Sequence, residues 1–139
     1  MTQPTRAQRR DELRRRIART GEDLAEAHFN RLGFSTLARN ARTRAGEIDL
    51  IVFHAQSATL VFAEIKTRAV RGPHVRPDQQ PLPWLRARQR ARLRRLATAW
   101  LSNERQHRPS AETVRFDAVG VIVDLRGRLL RLDHLENAW

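Results

Sequence analysis

The stretch Glu47-Ile48-Asp49-Leu50-Ile51-Val52-Phe53-His54, followed after Ala55-Gln56-Ser57-Ala58 by Thr59-Leu60-Val61-Phe62-Ala63-Glu64-Ile65-Lys66-Thr67, decides the fold. Both runs are rich in Ile, Leu, Val and Phe, which suit a pleated, half-buried surface. The polar connection between them is short, so the two runs form an antiparallel hairpin. Side chains alternate across a strand. Glu47, Asp49, Ile51 and Phe53 therefore share one face, and Ile48, Leu50 and Val52 the other. On the next strand Phe62, Glu64 and Lys66 share a face, opposite Val61, Ala63 and Ile65. With faces matched across the hairpin, Asp49, Glu64 and Lys66 converge at one end of the sheet.

Outward from the hairpin, Phe34–Arg39 reads as an earlier strand and Asn40–Gly46 as a basic turn. Thr20-Gly21-Glu22-Asp23 has the form of a helix start, with Thr20 as N-cap. Leu24, Ala25, His28, Phe29 and Leu32 follow at helical spacing, and Gly33 stops the helix. Residues 1–19 read as a basic arm, frayed helix or disordered, ahead of a single domain over 20–139. Four of the six prolines fall in residues 68–83, a long loop. Trp84–Asn103 carries Leu85, Leu93, Leu96, Ala97, Trp100 and Leu101 on one helical stripe. Thr113–Asp124 is an apolar strand, Leu125–Arg128 a turn and Leu129–Leu132 a last short strand. The order α-β-β-β-α-β-β predicts an α/β or α+β domain with a mixed sheet flanked by helices.

Charge placement says more than its sum of +12. Residues 1–20 carry seven Arg against Asp11 and Glu12. Residues 84–108 carry eight Arg against Glu104. The remainder balances, with twelve basic and twelve acidic residues. Two Arg blocks beside a neutral body point to a polyanion, foremost nucleic acid, over a solvated charge decoration. No stretch has the roughly 20 apolar residues of a membrane helix, and the basic N-terminus lacks the apolar run of a secretory signal. There is no cysteine, which excludes disulfides and thiolate metal sites. The expected compartment is the cytoplasm.

Lys66 is the only lysine; the other 26 basic residues are Arg. Arg is a planar fork that stays charged, whereas Lys is a compact point charge. A chain that otherwise writes Arg keeps Lys where Arg cannot substitute. Asp49 and Glu64, held close, repel unless a proton or a cation comes between them. An oxygen-rich pocket with few protein ligands suits Mg²⁺ or Mn²⁺, and the Ile65 backbone carbonyl is a natural further ligand. Such an ion would polarise a phosphate and lower the pKa of a bound water, while Lys66 would orient that water or stabilise charge building on the phosphoryl oxygens. The plain alternative is a solvated sheet face with a cross-strand ion pair of about 0.2–1 kcal/mol. Glu22, at the rim of its helix's apolar face, either completes the acidic cluster or serves the helix dipole. Glu47 and Asp117 are supporting candidates, and Asp117 has Arg115 and Arg88 as possible ion-pair partners. His28 reads as a packed core residue. The histidines show no metal-ligand spacing, and no Ser or Cys nucleophile motif is present.

These residues resemble the PD-(D/E)xK, restriction-endonuclease-like nuclease superfamily, and within it the YraN-type family of small bacterial proteins. The resemblance rests on Gly21-Glu22, Leu32-Gly33-Phe34, Asn40, Gly46-Glu47-Ile48-Asp49-Leu50-Ile51 and Phe62-x-Glu64-Ile65-Lys66-Thr67-Arg68. Arg88-Gln89, Arg115-Phe116-Asp117 and Asn137-Ala138-Trp139 complete it. It implies a restriction-endonuclease-like fold with Asp49, Glu64 and Lys66 in the three signature positions and Glu22 as the first-helix acid. Ile48 stands where the superfamily name has Pro, and Arg88 where the family is expected to have Lys. The implied activity is Mg²⁺-dependent hydrolysis of phosphodiester bonds in DNA, branched or single-stranded substrates included, with DNA favoured over RNA. Arg42, Arg44, Arg68, Arg86, Arg88, Arg90, Arg92, Arg94 and Arg95 are the expected nucleic-acid contacts. A homodimer is compatible with the superfamily. The rival readings are a nuclease fold that binds nucleic acid without cutting, and an interaction protein that docks an acidic partner through its Arg-rich helix.

Overall fold

The computed structural model describes residues 2–76, 87–103 and 107–138, with side chains at all of these except 87–90. The elements follow the expected order: α1 (Arg6–Arg31), β1 (Ser35–Thr43), β2 (Gly46–His54), β3 (Thr59–Ala69), α2 (Ala87–Leu101), β4 (Thr113–Val123) and β5 (Leu129–Leu135). The strands form one mixed sheet in the order β1-β2-β3-β4-β5. Three neighbouring pairs are antiparallel; β3 and β4 run parallel, from Thr59↔Thr113 to Ala69↔Val123. Parallel neighbours cannot be joined by a hairpin, which is why the β3–β4 connection is the long one containing α2.

Strand alternation splits the core in two. Leu50, Val52, Val61, Ala63, Val119, Val121 and Val123 pack with Ala25 and Phe29 of α1. Ile51, Phe53, Leu60 and Phe62 face the other way, onto Leu93, Leu96, Ala97 and Trp100 of α2. The result is a sheet with one helix on each face, and both faces are closed by apolar burial, the main stabilising term. The α2 stripe is the expected one, although Trp84, Leu85 and Arg86 lie outside the described residues.

Several boundaries move. The helix start expected at Thr20 lies at Thr5. The Thr5 hydroxyl accepts the Gln8 N–H at 3.1 Å, and the Gln8 side-chain oxygen accepts the Thr5 N–H at 2.7 Å. This is a capping box. The residues expected to fray or to be disordered are helical from Arg6, because Arg, Ala, Gln, Glu and Leu are all good helix formers. Thr20 sits inside α1 and donates its hydroxyl to the Arg16 carbonyl at 2.9 Å, a local bond open to helical Thr. β1 runs four residues past Arg39, pairing Ala41↔Ile48 and Arg42↔Glu47, so the expected Asn40–Gly46 turn shrinks to Arg44–Ala45. β3 takes Arg68 and Ala69 from the expected loop; residues 77–83 of that loop lie outside the described part. β5 extends to Leu135 because the β4 pairing continues to Ala118↔Leu135.

One contact sets how α1 lies on the sheet. Gly21 is buried inside the helix, and a Cβ there would overlap the Thr67 side chain of β3. Gly in a helix interior costs about 1 kcal/mol relative to Ala, so this glycine is kept for close approach. Gly21→Ala therefore destabilises the protein despite its better helix propensity, by about 1–3 kcal/mol, the usual range for overpacking. Thermal melts of Gly21→Ala and of Gly21→Ala with Thr67→Ala check this, with partial recovery expected in the double variant.

Candidate functional site

Asp49 sits where β2 and β3 part. The two strands pair from His54↔Thr59 to Leu50↔Ala63 and no further, while β3 continues against β4 to its end. At the parting point the Asp49 carboxylate takes the place of a ladder carbonyl: its Oδ2 accepts the Ile65 N–H at 2.8 Å. The strict alternation expected of β2 breaks here. Ile48 packs with the α2 cluster, whereas Leu50 and Val52 face α1. Asp49 thus stands at a twist in the strand as well as at the end of a ladder. The N–H and C=O of one strand residue point to the same side. The Ile65 carbonyl accordingly turns towards the side from which Asp49 reaches it, with no β2 residue paired opposite.

Asp49 and Glu64 line one cavity of about 230 Å³ together with Glu47, Ile48, Arg92, Leu93 and Leu96. Burial pushes the Asp49 carboxyl up to about 6; the Ile65 N–H works against that, and the negative charges of Glu64, Glu22 and Glu47 add to it. Burial also raises Glu64, opposed by the positive charges of Arg92 and Lys66. Two half-buried carboxyl groups in one cavity, each raised by burial and Asp49 further raised by the charge of Glu64, favour a cation between them. Glu47 is exposed but lines the same cavity, and its charge acts on Asp49.

Lys66 does not enter that cavity. It is exposed and lines a neighbouring cleft of about 400 Å³ with Arg14, Ile17, Ala18, Glu22, Ile65, Thr67, Arg68 and Ala69. Its charge still reaches Glu64. Glu22 belongs to this cleft and is felt by Asp49. Two residues from β1 hold Glu22: Asn40 Nδ2 donates to its Oε2 at 3.2 Å, and Arg39 stands 3.5 Å from the same oxygen. Arg39 also meets Asp23 at 2.7 Å and Glu26 at 3.4 Å. The sequence gives little sign of this support, because the expected strand ends at Arg39 whereas β1 runs to Thr43. In the structure Asn40 adopts the left-handed conformation (φ 49°) that Asn tolerates better than most residues.

The expected site thus separates into parts. Asp49, Glu64 and Glu47 share a cavity; Glu22 and Lys66 share the adjoining cleft; the Ile65 backbone lies between them. Among the described residues, no group of three or more His, Asp or Glu side chains is spaced to hold a metal ion. Asp117 lies elsewhere. It pairs with Ala63, on the α1 face, and is fully buried. Arg115 Nε and Nη2 donate to it at 2.9 Å, His134 bonds it at 2.7 Å and the Asn137 N–H at 2.9 Å. Burial works to raise its pKa, but these partners outweigh burial and hold it below the usual range. His134 in turn meets His28 at 2.9 Å, so His28 is a hydrogen-bonded, half-buried residue of the α1 face.

Of the basic residues singled out, Arg92 lines the acidic cavity. Arg42 and Arg44 line a separate cleft with Trp100 and Ser102 near the end of α2. Arg94 lies 6.0 Å over the Phe116 ring, and Arg95 is exposed. Arg68 lines the Lys66 cleft. Arg88 and Arg90 lie on α2 with side chains outside the described part, and Arg86 is outside it altogether.

A family model described as "Uncharacterised protein family UPF0102" matches residues 21–121, from the α1 glycine through most of β4. The chain belongs to the UPF0102 family. It is 40% identical over 124 residues to a UPF0102 protein of Parafrankia sp., covering 89% of this chain and 96% of that one. A UPF0102 protein of Pelotomaculum thermopropionicum is 33% identical over 128 residues, covering 92% and 98%. The UPF0102 match thus spans Gly21, Asp49, Glu64 and Lys66, and stops short of β5. Among the described residues no helix is long and apolar enough to cross a membrane.

The raised Asp49 pKa carries a stability consequence. An acid whose folded pKa exceeds its unfolded value, here 3.8, holds more protons folded than unfolded between the two. Its contribution therefore falls as pH rises from about 4 to 6, amounting to about 3 kcal/mol lost by pH 7. Asp49→Asn keeps an oxygen for the Ile65 N–H and removes the titration. In EDTA, its melting temperature should match wild type at pH 4 and exceed it by several degrees at pH 8. Thermal melts across that range check it.

Proposed function

We propose that this UPF0102 protein is a metal-dependent nuclease of the PD-(D/E)xK superfamily that hydrolyses phosphodiester bonds in DNA. The observation that carries the reading is the half-buried Asp49–Glu64 pair lining one cavity at the parting of β2 and β3, with the chain's only lysine two residues beyond Glu64. The donor set fits a hard cation. Mg²⁺ is commonly bound through one or two carboxylates and keeps several waters, and here Asp49, Glu64 and the Ile65 carbonyl would hold Mg²⁺ or Mn²⁺. When bound, the ion supplies Lewis-acid polarisation of the scissile phosphate. Lys66 contributes a point charge that does not compete for the ion and stabilises charge on the phosphoryl oxygens. Glu22, fixed by Asn40 and Arg39, orients groups entering from the cleft side. Glu47 adds negative charge to the same cavity.

A second reading, a nucleic-acid-binding module without turnover, is favoured by one observation: no third acid joins the pair at ligand distance among the described residues. Metal titration separates the two. Mg²⁺ or Mn²⁺ at millimolar concentration should raise the melting temperature of wild type and leave that of Asp49→Asn unchanged. A panel of single-stranded, duplex, flap and four-way DNA should be cut by wild type with either ion, and Glu64→Gln and Lys66→Ala should lose that cutting at least a hundredfold. A metal-independent melting temperature together with an uncut panel would sink the nuclease reading and leave the binding module.

A further inference from the structure

The first part of α1 is a solvated helix that the sheet does not need. Residues 6–16 are all exposed, and Ile17 is the first to join the α1-side core. At 1.5 Å per residue, this segment stands about 16 Å beyond its anchorage. It carries Arg6, Arg10 and Arg14 at four-residue spacing, so they lie on one stripe of the helix surface. The same stripe continues through Ala18 to Glu22, and Arg14, Ala18 and Glu22 all line the cleft that holds Lys66 and Arg68. The stripe therefore leads from solvent into the cleft beside the acidic pair.

Like charges at this spacing repel and weaken a helix. Arg6 and Arg10 have no acid three or four residues away in the chain. Among the described residues, no acidic group pairs with Arg6, Arg10 or Arg14 within 4 Å. Successive members sit about 6 Å apart along the axis, inside one Debye length, so they act as one field. The helix also has no acidic residue in its first turn to answer them. Arg14 has Asp11 three residues before it, but the two form no ion pair within 4 Å, and a cationic stripe that runs into the Lys66 cleft complements a polyanion lying along α1.

We infer that the exposed N-terminal half of α1 and the cleft beneath it form the docking surface for a nucleic-acid backbone, with phosphates along Arg6, Arg10 and Arg14 and the strand passing Lys66 towards Asp49 and Glu64. This rests on the nuclease or nucleic-acid-binding reading of the site and adds where the strand lies. It makes α1, which the UPF0102 match includes only from Gly21, the arm that aligns the strand.

The test is binding of a fluorescently labelled duplex, followed by anisotropy in EDTA over a range of KCl. Arg10→Gln with Arg14→Gln is compared with Arg31→Gln with Arg108→Gln, which removes equal charge from exposed positions at the other end of α1 and ahead of β4. Gln keeps helix propensity close to that of Arg, and circular dichroism verifies that α1 is retained. Each phosphate contact contributes about 0.9 to the slope of log K against log salt. The α1 pair should flatten that slope by about 2 and weaken low-salt binding about tenfold or more, while the distal pair changes the slope by less than about 0.5. An unflattened slope in the α1 pair, equal losses in both pairs, or no duplex binding by wild type overturns the inference. Cleavage is scored separately on the same proteins. Wild type that binds with the expected slope but never cuts with Mg²⁺ refutes the nuclease reading and supports the surface.

Discussion

A single hydrogen bond, from the Ile65 N–H to the Asp49 carboxylate, marks where the β2–β3 ladder ends and the candidate site begins. Up to Leu50↔Ala63 the β2 and β3 backbones satisfy each other. Beyond that pair a side chain does the work of a carbonyl, and the strands separate enough for a cavity between β2, β3 and α2. Ending a ladder inside a protein leaves backbone groups that must find partners. Asp49 supplies one, and in return its carboxylate is drawn into partial burial beside Glu64. The Ile65 carbonyl, turned to the same side, is left facing the gap.

Two aspartates show how environment separates chemistry from architecture. Asp117 is fully buried yet easily ionised, because Arg115, His134 and the Asn137 N–H surround it. That network ties β4 to β5 and to the chain end, where the Ala138 N–H also bonds the Phe116 carbonyl at 2.8 Å. Every lone-pair direction is engaged, so nothing remains for a ligand. Among the described residues Asp49 has one hydrogen-bond donor, the Ile65 N–H, and carboxylate neighbours, and its pKa moves the other way. A half-buried acid that its own protein under-satisfies is a candidate for binding something else.

The hairpin was legible because its alternation was strong: Ile51 and Phe53 do face α2, and Leu50 and Val52 do face α1. Pairing Asp49 with Glu64 followed from the same period of two. The expectation weakened at Lys66. Period alone put it with Glu64, but α1 lies close to β3 at Gly21 and Thr67 and gives the strand end a second wall, so Lys66 lines the α1 cleft. The start of α1 was misjudged for a local reason. Thr20-Gly21 has the chemistry of a helix boundary, and only the contact with Thr67 explains a glycine in mid-helix. Asp117 reads from sequence as a support for the site or as an ion-pair partner of Arg115 or Arg88; the Arg115 pair forms, and the register with Ala63 puts Asp117 on the α1 face.

What the sequence determined by itself was the order of elements, the alternation of the hairpin away from Asp49 and the identity of the charged groups. These depend on neighbours a few residues away, and propensity and alternation report such neighbours directly. Tertiary structure alone decided where the β2–β3 ladder ends, which cavity each charged side chain enters, and which acids are already satisfied. Those outcomes depend on the approach of α1 and α2 to opposite faces of the sheet. They depend also on Arg39, Asn40, Arg115 and His134, which reach their carboxylates from other strands. No local pattern encodes that reach, because the burial that shifts a carboxyl's pKa exists only once the layers have packed.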